Sequence, residues 1–249
     1  MILFSNKARP YHLGPFPLER IARDAGLLEN EIGKARQARP DRPPAADGQF
    51  AAAIDKYHAI FHSLRADDPA PAKAPVPDDL GRRAVDVKGA AYFLNASQVG
   101  ICELPDNGWL TDAAPLPHSH AVVILVQHPR QPEAGSLAND WVAGSVDAMA
   151  GFRAYEIGIS IANQVQKMGY SAIAHDVRHG DVDLERLAVM AGLCYRAGDR
   201  VLNPYLDDGF ALAVVTTDYP LATDLPLKPR AARKAKGVGY MLGLSLIHI

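Results

Sequence analysis

Histidines, one aspartate neighbour and two cysteines are the side chains whose spacing invites chemistry in this chain. His58 and His62 stand four residues apart, the helical spacing that points two imidazoles at one metal ion. No carboxylate completes an H-E-x-x-H pattern beside them, so the favoured reading is a half-exposed helical face. His118 and His120 are two residues apart and share a side if the chain is extended. Without a third ligand they read as hydrogen-bonding loop histidines. His128 ends an apolar run, a place where a side chain can line a pocket. His175-Asp176 offers an aspartate-oriented histidine, although neighbours on a strand face opposite sides. Tyr155 can point at a ligand but fits core packing better. Cys102 and Cys194 are the 2 cysteines of the chain, too few for an iron–sulfur cluster held by four thiolates. They read as buried thiols that behave as small hydrophobes. G-x-S-x-G, P-loop, H-E-x-x-H and C-x-x-C patterns are missing. The expectation is therefore that no residue here is catalytic and none ligates a metal.

The elements that must position these groups follow from periodicity. With 249 residues the chain makes one large or two small domains, and burial of roughly 70–75% of its unfolded surface needs no staples. A hydrophobic content of 48% and a net charge of −2 describe an ordinary soluble protein and exclude nucleic acid or an anionic membrane as the main partner. No apolar run approaches the roughly 20 residues of a spanning helix. The N-terminus lacks a secretory or twin-arginine signal, which points to the cytoplasm.

Pro17 starts a short amphipathic helix through Leu18, Ile21, Ala22, Ala25 and Leu28. A second helix spans about 48–65, with Asp47 as its cap and Phe50, Ile54, Tyr57, Phe61 and Leu64 on one face. Residues 66–77, ADDPAPAKAPVP, read as an extended, mobile linker. The segments 1–77 are thus a helical N-terminal extension with its linker, and 78–227 the main module. That module predicts a helix over about 78–95 and strands over 98–104 and 121–127. A long helix over 145–170 follows, then strands over 169–176 and 210–217. Ser145 and Gly169 read as the caps of the long helix. Phe152, Tyr155, Ile159, Ala162, Val165 and Gln166 mark its inner side, while Gly151 and Gly158 admit a close backbone. The class is α/β in the α+β sense.

Lys228, Arg230, Arg233, Lys234 and Lys236 put five positive charges in nine residues. Phosphate binding comes to mind, but without interleaved aromatics the run reads as a solvated linker over 228–243. Gly237-Val238-Gly239 with Gly243 is not a dinucleotide fingerprint, since no strand precedes it. Residues 244–249, LSLIHI, match the translation of a common sequencing adapter. They are set apart as an artefact, with the natural chain expected to continue past Gly243.

The stretch from Glu185 to Leu227 carries the most information. It holds Leu187-Ala188-Val189-Met190-Ala191-Gly192-Leu193, Asn203-Pro204-Tyr205, Thr217-Asp218-Tyr219-Pro220-Leu221 and Asp224-Leu225-Pro226. In this order and spacing it resembles the cobalamin-dependent reductive dehalogenases, above all the cytoplasmic, oxygen-tolerant branch, and the related epoxyqueuosine reductases. The resemblance extends more weakly back to about Ala84. It implies a nitroreductase-like, cobalamin-binding type of fold, a sandwich of a mixed sheet with helices. It also implies a full-length enzyme that removes halide from organohalides with cobalamin and two 4Fe-4S clusters. Two positions depart from the pattern: Cys194 stands where the family has glycine, and Asp199 splits the expected Gly-Arg pair. The long cytoplasmic members duplicate this module, and their N-terminal copy binds no cofactor. The chain is therefore read as such a non-catalytic N-terminal module, partnered by the remainder of its own chain. Its cobalamin, clusters and organohalide substrate would belong to downstream domains. Two other readings stand beside it: the cobalamin-binding catalytic domain itself, and a flavin-dependent nitroreductase-like enzyme.

Overall fold

The computed structural model of the chain describes residues 9–41, 50–65 and 68–228. The Asp47 cap, the basic run after Lys228, the 237–239 glycine stretch and residues 244–249 lie outside the described residues. The elements run α1 (Gly26–Ile32), α2 (Ala51–Ser63), α3 (Leu80–Phe93), β1 (Gln98–Glu103) and β2 (His120–Gln127). Then come α4 (Leu137–Val142), α5 (Val146–Lys167), β3 (Ala172–His175), α6 (Leu184–Met190), β4 (Tyr195–Ala197), β5 (Arg200–Leu202) and β6 (Phe210–Thr217). Among the described residues no helix is long and apolar enough to cross a membrane.

β2 and β6 are β-branched runs that pair over their whole length, from His120 with Thr217 to Gln127 with Phe210. β1 adds to β2 and β3 to β6, giving the order β1-β2-β6-β3. Every pairing is antiparallel. This corrects the expected mixed sheet. A run buried on both faces requires cover on both sides, but it does not fix the direction of its neighbour. α5 carries the chain from β2 to β3, which run the same way with one strand's width between them. β6 returns later and fills that space from the opposite direction.

Alternation along the strands divides the core. Val122, Ile124, Val126, Ala213 and Val215 face α3 and α5. Ala121, Val123, Leu125 and Val214 face α6, Trp109 and Leu18. The inner positions read from the sequence of α5 are all buried. Gly158 lets the helix settle on the sheet, with the place of a Cβ only 3.6 Å from the methyls of Ala174 and Ala213; Gly151 meets nothing comparable. Ser145 precedes α5 as expected, but its side chain makes no capping bond.

Three sequence readings need correction. The helix expected from Pro17 to Leu28 is a short 3-10 turn at Leu18–Arg20, an extended step and then α1. The backbone there is claimed by tertiary pairing: Arg23 bridges Leu227, Asp24 N–H donates to Pro226 O (3.0 Å), and Lys228 N–H donates to Ala22 O (2.8 Å). α2 turns only part of its marked face inward: Ile54 is buried and Phe61 packs against the core. Phe50, Tyr57 and Leu64 are exposed, while Ala51, Ile54 and His58 are buried. The described part of the supposed mobile linker is tied to the end of α5, where Ala70 and Ala74 N–H donate to Gln166 O and Met168 O at 2.9 and 3.0 Å. The polar turn after Cys194 also forms an unforeseen hairpin, β4 with β5.

Gly192 ends α6 at φ +66°, and a Cβ there would lie 2.2 Å from Leu225 O and 1.8 Å from the Arg23 guanidinium. Gly192→Ala therefore combines left-handed strain with a backbone clash and is expected to cost about 1–3 kcal/mol. Urea unfolding followed by circular dichroism measures this; an unchanged midpoint would contradict the packing described.

Candidate functional site

The densest group of titratable side chains sits where α2 crosses the C-terminal end of β3. His58 Nε2 is 2.7 Å from Asp176 Oδ2, between residues 118 apart in sequence. Both side chains are buried. The other carboxylate oxygen accepts the N–H groups of His179 (2.7 Å) and Arg178 (3.2 Å), so the turn after β3 is wrapped on the carboxylate. Imidazoles stack around it: His58 on Tyr155 at 4.9 Å between centroids, His58 on His179 at 5.1 Å, and His62 on His179 at 3.9 Å. Tyr155 OH and His62 Nδ1 are 2.9 Å apart. Burial alone would raise the Asp176 carboxyl; the His58 hydrogen bond and charge and the His179 N–H overcome it and hold the group below the usual range. Burial, with the nearby Arg65 charge, lowers His62, and burial raises the Tyr155 phenol.

His175, next in sequence to Asp176, points the other way, as strand alternation requires. Its Nδ1 accepts from Arg65 Nη2 (3.3 Å) and Asp181 N–H (3.2 Å). Neither donor can accept, so the neutral ring carries its proton on Nε2 and donates to Thr216 Oγ1 at 2.9 Å. The Thr216 hydroxyl is then left to donate to His118 Nδ1 (2.8 Å), and His118 Nε2–H to Ser171 Oγ (2.8 Å). A directional chain of buried hydrogen bonds thus crosses the sheet. Burial, reinforced by Arg65, drives His175 well below its usual pKa, and burial lowers His118.

The sequence candidates are therefore partly united. His58 and His62 lie together with Tyr155, but His58 is a buried partner of Asp176 and not part of a half-exposed face. Tyr155 is core, as expected, and also holds His62. Asp176 orients His58, a residue from another element, and not its neighbour His175. His118 and His120 part company: the first is buried in the hydrogen-bonded chain, and the second bonds Ser119 Oγ at 2.8 Å. His128 pairs with Asp147 across 3.1 Å and lies outside the residues lining two clefts of the surface. Cys102 and Cys194 are free and buried. Burial raises both thiols, Cys194 to about 12. His179 was not singled out by its sequence; its signal is the three-residue step from Asp176, which brings a turn back on itself.

The 187–227 stretch is bonded inward. Asn203, fully buried, donates to Gln98 Oε1 (2.6 Å) and Leu193 O (2.8 Å) while its own carbonyl oxygen accepts the N–H groups of Tyr205 and Leu206 (3.0 and 3.2 Å). Thr217 Oγ1 donates to Ser171 O (2.7 Å) and accepts from Tyr219 N–H (2.9 Å). Asp224 accepts from Ile101 N–H (2.8 Å) and Lys88 Nζ (2.7 Å). Arg23 lies over Gly192 and donates to Gly192 O (2.8 Å) and Leu225 O (2.7 Å). A cleft of about 770 Å³ opens beside this stretch, between the 34–40 segment, the 176–186 loop and Asp199. Its arginines are engaged with protein: Arg36 with Leu110 O, Arg186 with Ala35 O, and Arg196 with Glu31.

No protein-family model matches the chain, and no curated protein does. Among solved structures it is similar to the catabolic reductive dehalogenase NpRdhA, at 38% identity and a TM-score of 0.80 over 98% of this chain. The chain is reductive-dehalogenase-like over nearly its whole length. It spans 34% of that dehalogenase. The same enzyme in complex with 3-bromo-4-hydroxybenzoic acid matches at 38% identity and a TM-score of 0.79. An epoxyqueuosine reductase matches distantly, at 14% identity and a TM-score of 0.45 over 59% of this chain and 48% of its own. Arg23 and Leu225 occupy the space that a Cβ at Gly192 would fill, and Cys194 is wholly buried.

Stability should fall as the solution is acidified below about pH 6.5, the unperturbed histidine value. His175 and His118 have folded pKa values below that, so the unfolded chain takes up their protons first and the fold loses stability as pH drops. The stability from Asp176, present above 3.8, is lost at still lower pH as its depressed folded value is passed. His175→Gln should flatten the slope between pH 6.5 and 5 by up to about 1.4 kcal/mol per pH unit. Denaturant titrations at several pH values check this; a slope equal to the unmutated protein's would contradict a neutral, buried His175.

Proposed function

We propose that this chain is the non-catalytic N-terminal module of a cytoplasmic reductive dehalogenase, built on the cobalamin-binding, nitroreductase-like type of fold. The packing of the 187–227 stretch carries this reading. Asn203, Thr217 and Asp224, the polar groups of that stretch, are bonded to protein, and Arg23 packs on Gly192. The two buried, free thiols accord with the same reading, since a cluster takes four thiolates.

Under this reading the cobalamin, two 4Fe-4S clusters and the organohalide site lie in the downstream part of the enzyme. The 34% coverage of the related dehalogenase leaves room for such a part. The module's partner is then the rest of its own chain, and its work is to present a rigid surface to the domains that bind cofactor. Taken alone it is inactive on organohalides.

Titration of the 249-residue protein with hydroxocobalamin tests the reading. The expected result is a corrinoid absorption spectrum that stays that of the free cofactor, with no cofactor retained by the protein on gel filtration. Retention of one equivalent with a shifted spectrum would overturn it and make this the cobalamin-binding domain.

A further inference from the structure

We propose that His58, Asp176 and His179 form a binding site for a divalent first-row transition-metal ion. Among the described residues, one ligand atom from each lies within 4.8 Å of the other two. Bonds of about 2.0–2.2 Å to nitrogen and oxygen place neighbouring donors on one ion about 3–4 Å apart. His179 Nδ1 and Asp176 Oδ1 are already 3.5 Å apart. The 2.7 Å contact of His58 Nε2 with the other oxygen, Asp176 Oδ2, has only to open by a fraction of an ångström as the ion takes the place of the proton between them, which passes to His58 Nδ1. Two imidazoles and one carboxylate suit zinc or iron(II) and leave coordination positions for water.

The site is supported as metal ligands usually are. Asp176 Oδ1 is fixed by the Arg178 and His179 N–H groups. The His58 ring packs against both Tyr155 and His179, and His62, bonded to Tyr155 OH, stacks on His179. Such backing sets ligand orientation and affinity. An access path exists: Asp176 borders the 770 Å³ cleft, and the His179 side chain is 26% exposed. The nearby cations are themselves paired, Arg178 with Asp55 at 2.5 Å and Arg65 with Asp181 at 3.5 Å. The inference does not depend on the proposed function, because the three ligands come from α2 and the turn after β3 and from no part of the 187–227 stretch.

The test is calorimetric titration of the EDTA-treated and dialysed protein with zinc chloride, repeated with cobalt(II) chloride and read by visible absorption. The expected result is one equivalent bound, with visible absorption of protein-bound cobalt(II) in the cobalt titration. His179→Gln, at a partly exposed side chain, should keep the circular dichroism of the parent and weaken binding by at least about 100-fold. Asp176→Asn should do the same wherever it folds. His128→Gln, at a histidine paired elsewhere, should leave binding unchanged. Absence of a binding heat, or zinc affinity unaltered by His179→Gln, would overturn the proposal; so would loss of binding in His128→Gln.

Discussion

The eight-residue ladder between β2 and β6 is the constraint on which the rest of the chain depends. Both strands are apolar on both faces, so the sheet requires two covers. On one side α5, a helix of 22 residues, supplies most of the cover with α3. On the other side α6 has only 7 residues, too little to shield the strands alone. The N-terminal segment completes that cover: Leu18 joins the core there, Tyr205 OH donates to Pro17 O at 3.0 Å, and residues 22–24 pair with 226–228. That second face of the sheet is interior.

The same ladder places the chemistry. Thr216 lies on β6 between His175 of β3 and His118 before β2, so pairing of three strands assembles the buried hydrogen-bonded chain. Asp176, one residue past β3, emerges on the opposite side and meets α2. Adjacent residues of one strand thus feed two separate networks. One is neutral and ties the sheet together; the other gathers a carboxylate and two imidazoles, with Asp176 bordering a cleft.

Much of the main module is legible in the sequence because its signals are local. β6 occupies the predicted residues, β2 and α3 agree within a residue or two, and the inner face of α5 is the one its periodicity marks. What escaped were long-range choices. Residues 17–28 have helical spacing, yet strand-like pairing with 226–228 takes precedence. Of the marked face of α2, Ile54 and Phe61 face inward, but Phe50, Tyr57 and Leu64 stay exposed, because the buried His58–Asp176 contact fixes the helix and an isolated buried carboxylate is costlier than exposed aromatics. A partnership across 118 positions leaves no trace in spacing, and strand direction is invisible in a doubly buried run. Cys194 and Asp199 were legible as departures from the dehalogenase pattern. Their physical meaning, a sealed interior beside an exposed hairpin turn, needed the fold.

The central claim is that this module is the sealed copy of a fold whose open copy binds the cofactor. Long-read sequencing of the gene through and beyond the codon for Gly243 tests it most directly. The account predicts that the frame continues into a second version of the 187–227 stretch, with glycine at the position of Cys194 and an unbroken Gly-Arg pair where Asp199 intervenes here, followed by two clusters of cysteines. Cysteine clusters that follow with no second version between would contradict it, because the cofactor would then have only this module to bind.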